Sequence, residues 1–255
     1  MVTFSITSCK RLELFKKSVN SFINTCEDLN LISEWICVDD NSSESDRDEM
    51  RKSYPFFHFI FKGKHNKGHA KSMNLLVKNI KNKYFFQMED DWLFLEKSPY
   101  ITRCLDILNE NEKYGQVVIN RNYAEIADSE HLKIAGGFRK VTKNKTKYVL
   151  HEHYQQGSEE ETEFFQRNKN LKSSCYWPHF SLNPSLIKTS AIKEVGSFSE
   201  TAPHFEMEFA FRYANAGYST CFLDGIHISH IGRNHTDRGN SNTKNAYDLN
   251  ETKQF

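Results

Sequence analysis

Over residues 1–90, β-branched or aromatic runs alternate with amphipathic segments, and this alternation leaves few folds open. "VTFSIT" (2–7) reads as a strand, and residues 11–25 place Leu12, Phe15, Val19, Phe22 and Ile23 at helical spacing. "EWICVDD" (34–40) reads as a second strand, and "NSSESDRDEMRKSY" after it opens on helix-capping residues. A third strand, "FHFIFK" (57–62), leads through the loop "GKHNKG" into a helix over 69–80, and "YFFQM" (84–88) is a fourth strand. Crossovers of this length are not hairpins, so the strands pair in parallel with helices on the faces of the sheet. The expected class is α/β with a mostly parallel central sheet flanked by helices.

Ligands of such sheets bind beyond the carboxyl ends of the strands. Thr7, Asp39, Asp40, Glu89, Asp90 and Asp91 all fall there. Ionised carboxylates are costly to bury, so the last three must lie at a strand end, in solvent or on a cation. A strand end that presents one or two carboxylates suits Mg2+ or Mn2+ shared with phosphate oxygens; a solvated strand end accommodates the same residues. A carboxylate of the pair Asp39 and Asp40 can accept a uracil N3–H or a ribose hydroxyl, and Asn41 or Ser42 can cap the next helix.

The second half is less regular. "GQVVINR" (115–121) and "KYVLHEHY" (147–154) read as strands, and "QQGSEEETEFFQRNKNLKSS" as a surface loop or exposed helix. Residues 185–196 read as a helix ending at Gly196, and "HFEMEFAFRYANAGYS" as another ending at Gly217. From Arg233 onward apolar residues nearly vanish, so the tail is mobile or folds over something. Trp177, in the aromatic cluster 175–180, is a candidate wall for stacking a sugar, or a core residue.

Charge and cysteine usage narrow the function classes. With 34 Lys+Arg against 33 Asp+Glu there is no global basic field, which argues against nucleic acid as a partner. The six cysteines are scattered without a C-x-x-C pair, as free core thiols in a reducing compartment would be. No targeting segment and no apolar run of membrane-spanning length is present, so a soluble, cytoplasmic protein without a membrane span is expected. The oligomeric state leaves no mark on the sequence.

The ordered set "TFSITSCKR", "VDDNSS", "NKGHAKSMN" and "FFQMEDDWLF" resembles the nucleotide-sugar-binding half of GT-A fold glycosyltransferases, especially family 2 and its relatives. Downstream, "SLNPSLIKTSAIKEVGSFSE" is similar to the segment under the acceptor site, "FEMEFAFRYANAGY" to the catalytic helix, and "HISHIGR" to an H-x-G metal motif. The resemblance implies a GT-A domain over residues 1–240, split into a nucleotide-sugar half (1–95) and an acceptor-side half (96–240) with a smaller sheet. Residues 241–255 would then be a tail closing over the active site. For the donor, a UDP-sugar, it implies Thr7, Ser8, Arg11, Asp39, Asp40, Asn66, Gly68, Ser72, Asn74 and Asp90, with Arg233 and Arg238 of the tail on the diphosphate. For Mn2+ or Mg2+ it implies Asp91 and His230, with Glu89 standing where the family has Asp. Glu206 and Glu208 are the implied catalytic carboxylates, although Phe205 occupies a position usually acidic and Glu206 one usually Asp.

The implied reaction is metal-dependent transfer of a hexose to a hydroxyl of a glycan or glycoprotein acceptor. The chain is also similar in size and composition to small transferases of giant DNA viruses, some of which glycosylate collagen-like proteins; this implies glucose as donor sugar and such an acceptor. Two other classes compete. A sugar-1-phosphate nucleotidyltransferase needs a Gly-rich loop after its first strand, and "SITSCKRLE" has no glycine. A catalytically inactive nucleotide-sugar or glycan-binding domain would carry the same carboxylates, and turnover separates it.

Overall fold

A computed structural model describes residues 1–119, 137–151, 154, 157–167, 180–225, 227–232 and 246–251. The first half is β1 (Val2–Ser8), α1 (Leu12–Thr25), β2 (Ile32–Asp40), α2 (Glu44–Ser53), β3 (His58–Lys62), α3 (His69–Asn79) and β4 (Tyr84–Glu89). These bounds match the periodic reading to within two residues. Then come β5 (Trp92–Phe94), α4 (Tyr100–Leu108), β6 (Tyr114–Val118), β7 (Gly137–Val141), β8 (Lys147–His151) and α5 (Glu159–Arg167). The described chain ends with β9 (Ser185–Lys188), α6 (Thr189–Val195), α7 (Phe205–Asn215), β10 (Ser219–Leu223), β11 (Ile228–His230) and α8 (Ala246–Asn250).

Nine strands form one sheet in the order β3-β2-β1-β4-β9-β6-β10-β8-β7. Only β8 and β9 run against the rest, so the sheet is mostly parallel. A second sheet pairs β5 with β11. Strand pleating sends alternate side chains to opposite faces. On one face Phe4 and Ile6 of β1 and Phe86 and Met88 of β4 pack against Phe15, Val19 and Phe22 of α1. On the other, Ile36, Val38 and Phe85 meet Ala70, Met73 and Leu76 of α3, with Phe205 and Phe209 of α7 further along. Both faces are covered, which is why β1 is buried along its whole length. The amphipathic stripe of α1 also seats β5: Ser18 Oγ accepts the Trp92 N–H and Ser21 Oγ the Phe94 N–H, both at 3.0 Å. That anchor holds the turn carrying Asp90 and Asp91 under the sheet edge. Helix α2 starts as its sequence promised, with Ser43 Oγ accepting the Asp46 N–H, Glu44 and Asp46 in its first turn and Arg51 and Lys52 in its last.

One element differs in kind from the sequence reading. Residues 185–196 are not one helix; Ser185–Lys188 form β9, which enters antiparallel between β4 and β6, and only then does α6 begin. Leu186 faces one core layer and Ile187 the other, a period of two that a four-residue segment cannot advertise against the helical pattern following it. Cys9, Cys26, Cys37, Cys104 and Cys221 are buried free thiols. Among the described residues no helix is long and apolar enough to cross a membrane.

Candidate functional site

Parallel pairing brings the strand ends together: Ser8 registers with Asp39, and Thr7 with Glu89 on its other side. The two acids ending β2 then part company. Asp39 is fully buried, and both its oxygens are engaged: Ser42 donates through Oγ–H to Oδ1 and through N–H to Oδ2 (3.2 Å), and Arg47 Nε donates to Oδ2 at 2.9 Å. Burial still pushes its pKa up. The structure therefore gives Asp39, expected at the donor, a task inside the fold, tying β2 to α2. Asp40 Oδ2 accepts the Gly68 N–H at 2.8 Å, and Lys62 Nζ lies 3.2 Å from Oδ1, yet Oδ1 has no aligned hydrogen-bond partner among the described residues. Buried Lys62 also donates to Gly68 O and Ser72 Oγ, each at 2.7 Å. Gly68 has φ 130°, a conformation that disfavours any side chain, and opens α3. Thus Gly68 and Ser72 shape the loop from within, while Asn66 stands exposed beside them.

The acidic turn after β4 is the electrostatic centre. Asp90 is fully buried; its Oδ2 accepts Ser8 Oγ–H at 3.0 Å and the Cys9 N–H at 3.1 Å, and its Oδ1 takes an Arg11 guanidinium N–H. Burial raises its pKa to about 6 against the opposing pull of Arg11. Asp91 Oδ2 accepts Arg11 Nη1 at 2.8 Å and lies 3.4 Å from His230 Nε2. Burial alone would raise this carboxyl, but Arg11 and His230 hold it down at about 2. Two buried atoms of the cluster, Asp91 Oδ1 and Arg11 Nε, lack a hydrogen-bond partner among the described residues. Each such vacancy costs about 1–3 kcal/mol in a fold and is worth an explanation.

His230 reaches Asp91 from β11, whose register sets it opposite Trp92, with the two rings 4.7 Å apart. The Ile231 N–H then donates to Asp91 O at 2.8 Å, drawing the H-x-G turn across the carboxylate. A Cβ on Gly232 would sit 2.1 Å from Asp91 Oδ2 and 2.7 Å from Asp91 Cβ, so only glycine fits. The orphaned Asp91 oxygen and the convergent imidazole fit a divalent cation in donor chemistry, hard oxygen plus borderline nitrogen. Among the described residues no set of three or more His, Cys, Asp or Glu is arranged to hold a metal, so most of the coordination would come from ligands outside the protein.

Within electrostatic reach of this cluster stands Glu89, which in turn feels the charge of Glu206. Glu89 Oε1 is 3.6 Å from His69 Nε2, and His69 Nε2 is 3.5 Å from Thr7 Oγ1. Burial first, then the charges of Asp91 and Glu206, drive the Glu89 pKa up, which places Glu206 in its field. Glu206 Oε1 accepts the Leu182 N–H at 2.7 Å, and burial raises its pKa too. Phe205, at the position where the resembled family usually has an acid, is buried in a T-shaped contact with the His69 ring, centroids 5.2 Å apart. Two other expected residues are engaged elsewhere. Glu208 is held by Arg212 through both oxygens, at 2.6 and 2.8 Å, and Arg212 also donates to the carbonyls of Val195 and Ser197, fixing the turn at Gly196. Asn74 accepts the Phe198 N–H and donates to Phe198 O and Glu200, clamping that turn to α3. Arg233, Arg238 and Trp177 lie outside the described residues.

Residues 3–189 match the family model described as Glycosyl transferase family 2. The chain belongs to that family. The mannosyltransferase PcManGT from Pyrobaculum calidifontis, solved in complex with GDP-Man and Mn2+, is similar in structure with a TM-score of 0.61 at 11% identity, over 92% of this chain and 58% of that one. The protein therefore spans little more than half the length of that mannosyltransferase, and likeness at such identity speaks for the fold, GT-A. No curated protein sequence matches it.

In this member of the family, the sequence carries no mark of the roles of Lys62, Arg47 and His69. Lys62 ends a strand and Arg47 lies in a polar helix, and neither carries a local signal for burial against an acid. His69, the first residue of α3, sits inside a recognised motif at an unmarked position. One expected result follows from the H-x-G turn. Gly232→Ala should lower stability by about 1–3 kcal/mol, as overpacking does, read as a fall in the thermal midpoint; an unchanged midpoint would mean that the turn does not rest on Asp91.

Proposed function

We propose that this family 2 glycosyltransferase moves a hexose, in the first instance glucose, from a UDP-sugar to a hydroxyl of a glycan or glycosylated protein, collagen-like acceptors included, and that it needs Mn2+ or Mg2+. The observation that carries this reading is the meeting of Asp91 and His230 at 3.4 Å, with Glu206 in the electrostatic field of neighbouring Glu89. Asp91 and His230 would hold the ion, which when bound would offset charge on the diphosphate and make UDP a better leaving group. The complex printed for the Pyrobaculum enzyme, with GDP-Man and Mn2+, supports a nucleotide-sugar donor and a divalent ion here.

The chain's own residues supply the rest. Asp40 Oδ1, rather than the fully engaged Asp39, is the acceptor open to a uracil N3–H or ribose hydroxyl at this edge. Asp90 serves by pinning Ser8, Cys9 and Arg11, so that the turn bearing Asp91 keeps its place. Thr7, His69 and Glu89 line the path between nucleotide and acceptor, with Glu89 presenting a carboxyl to the sugar hydroxyls. In an inverting displacement, the acceptor oxygen attacks the anomeric carbon as the bond to the diphosphate breaks, and Glu206 takes the hydroxyl proton. Burial favours that step, because it raises the basicity of the Glu206 carboxylate. The tail bears on the nucleotide end: Lys10 Nζ donates to Leu249 O at 2.8 Å, and Asn41 Nδ2 lies 3.5 Å from Asn250 Oδ1. Arg233 and Arg238 precede this contact and would act on the diphosphate.

The deciding experiment is nucleoside diphosphate release, without acceptor, from UDP-glucose, UDP-galactose, UDP-N-acetylglucosamine and GDP-mannose, each with Mn2+ and with EDTA. Chelator-sensitive release from one UDP-sugar is the expected result. Release from GDP-mannose alone would replace uridine by guanosine in the reading. Absence of both nucleoside diphosphate release and calorimetric binding of UDP with Mn2+ would remove it.

A further inference from the structure

Arg11 is placed for more than a static ion pair. Among the described residues its side chain has two hydrogen-bond partners, Asp90 and Asp91, and both are anions of the acidic turn. It approaches the same Asp91 oxygen, Oδ2, that His230 Nε2 faces at 3.4 Å. The pairing is imperfect: Arg11 Nε and Asp91 Oδ1 are both left buried without a partner among the described residues. Arg11 itself sits at the junction of β1 and α1, directly after Lys10, whose φ is 53°, so its backbone is anchored beside the site while its side chain spans into it.

We propose that Arg11 is a resident counter-cation that keeps Asp91 from binding a free divalent ion, and that it releases Asp91 when a donor diphosphate arrives to take up the guanidinium. The proposal rests on the metal-dependent reading given above. Its logic is charge balance. With no ligand bound, the guanidinium stabilises Asp90 and Asp91 in a buried setting where uncompensated carboxylates would be costly. A divalent ion at Asp91 and His230 would then face a fixed positive charge already paired with the same carboxylate, so by itself it binds weakly. A diphosphate changes both terms: it supplies oxygens to the ion, and it offers the planar guanidinium a two-point partner of the kind Arg prefers. Metal and nucleotide therefore bind with positive coupling, and coupling of this kind is reciprocal. In this view Asp91 Oδ1 is the acceptor held in reserve for the ion and Arg11 Nε the donor held in reserve for phosphate.

The test is Mn2+ binding, followed through the electron paramagnetic resonance signal of the free ion, for wild type, Arg11→Gln and Arg11→Lys, each with and without UDP. Wild type should bind Mn2+ alone at least tenfold more weakly than Arg11→Gln, and UDP should tighten Mn2+ binding far more in wild type than in that variant. Arg11→Lys keeps the charge and should stay close to wild type without UDP. Equal Mn2+ affinity of wild type and Arg11→Gln without UDP would overturn the proposal and leave the metal-dependent reading intact. Arg11→Lys binding free Mn2+ as tightly as Arg11→Gln would overturn it as well, since the charge would then not be the cause. Should Arg11→Gln not fold, wild type still decides: free Mn2+ bound as tightly without UDP as with it is incompatible with the proposal. Absence of Mn2+ binding in every sample, UDP included, would remove the metal-dependent reading and this proposal together.

Discussion

Asp91→Asn is expected to slow metal-dependent donor hydrolysis by about a thousandfold or more, because it removes the carboxylate proposed to anchor the ion while keeping the side-chain shape. Nucleotide binding with Mn2+, measured by calorimetry, should fall in parallel. Hydrolysis retained within a few-fold of wild type would show that the ion, if any, is held elsewhere. The same variant has a stability signature with a definite sign. Arg11 and His230 outweigh burial and hold the Asp91 pKa at about 2, below its ordinary 3.8. A depressed carboxyl contributes stability above its unfolded pKa and loses it as pH falls through the folded one. Wild type should therefore lose this contribution between about pH 4 and pH 2, and Asp91→Asn should lack that part of the acid transition. Asp90 works in the opposite sense, since its folded pKa is raised to about 6: its effect on stability declines as pH rises from about 4 to 6, above which the buried charge is fully present.

Glu206→Gln should reduce sugar transfer by about 10²–10⁴-fold, the range for loss of a positioned general base. Its Oε1 can still accept the Leu182 N–H, so the fold and UDP affinity should be unchanged. Azide, a nucleophile that carries no proton to remove, should restore formation of a glycosyl azide in the variant if Glu206 is the base of an inverting reaction. Transfer within tenfold of wild type, without an azide effect, would reject the base assignment and direct attention to a retaining displacement. Glu208→Gln provides the contrast. Because Glu208 is engaged with Arg212 under the Gly196 turn, its substitution should lower thermal stability with little effect on the rate of the folded enzyme.

The sequence by itself determined the elements of the first 90 residues, since helical and strand periods are local and a few consecutive residues express them. It also determined which residues reach the carboxyl edge, because the parallel topology follows from crossover length and brings Thr7, Asp40, Glu89 and Asp91 to one end. What it did not determine was the occupation of those residues. Asp39 and Asp40 are neighbours with one local context, yet Arg47 and Ser42 consume the first while Oδ1 of the second is ion-paired with Lys62 without an aligned hydrogen bond among the described residues. Glu206 and Glu208 lie on one helix, yet Arg212 engages only the second. Strand β9 was invisible because four residues adopt their conformation from the gap between β4 and β6 and not from their own pattern. The ion pairs of Arg11 with Asp90 and Asp91, and the approach of His230 to Asp91, join residues far apart along the chain. Periodicity records what a residue's immediate neighbours require; charge pairing and burial depend on which distant segments share the same few ångströms, and only the tertiary structure decides that.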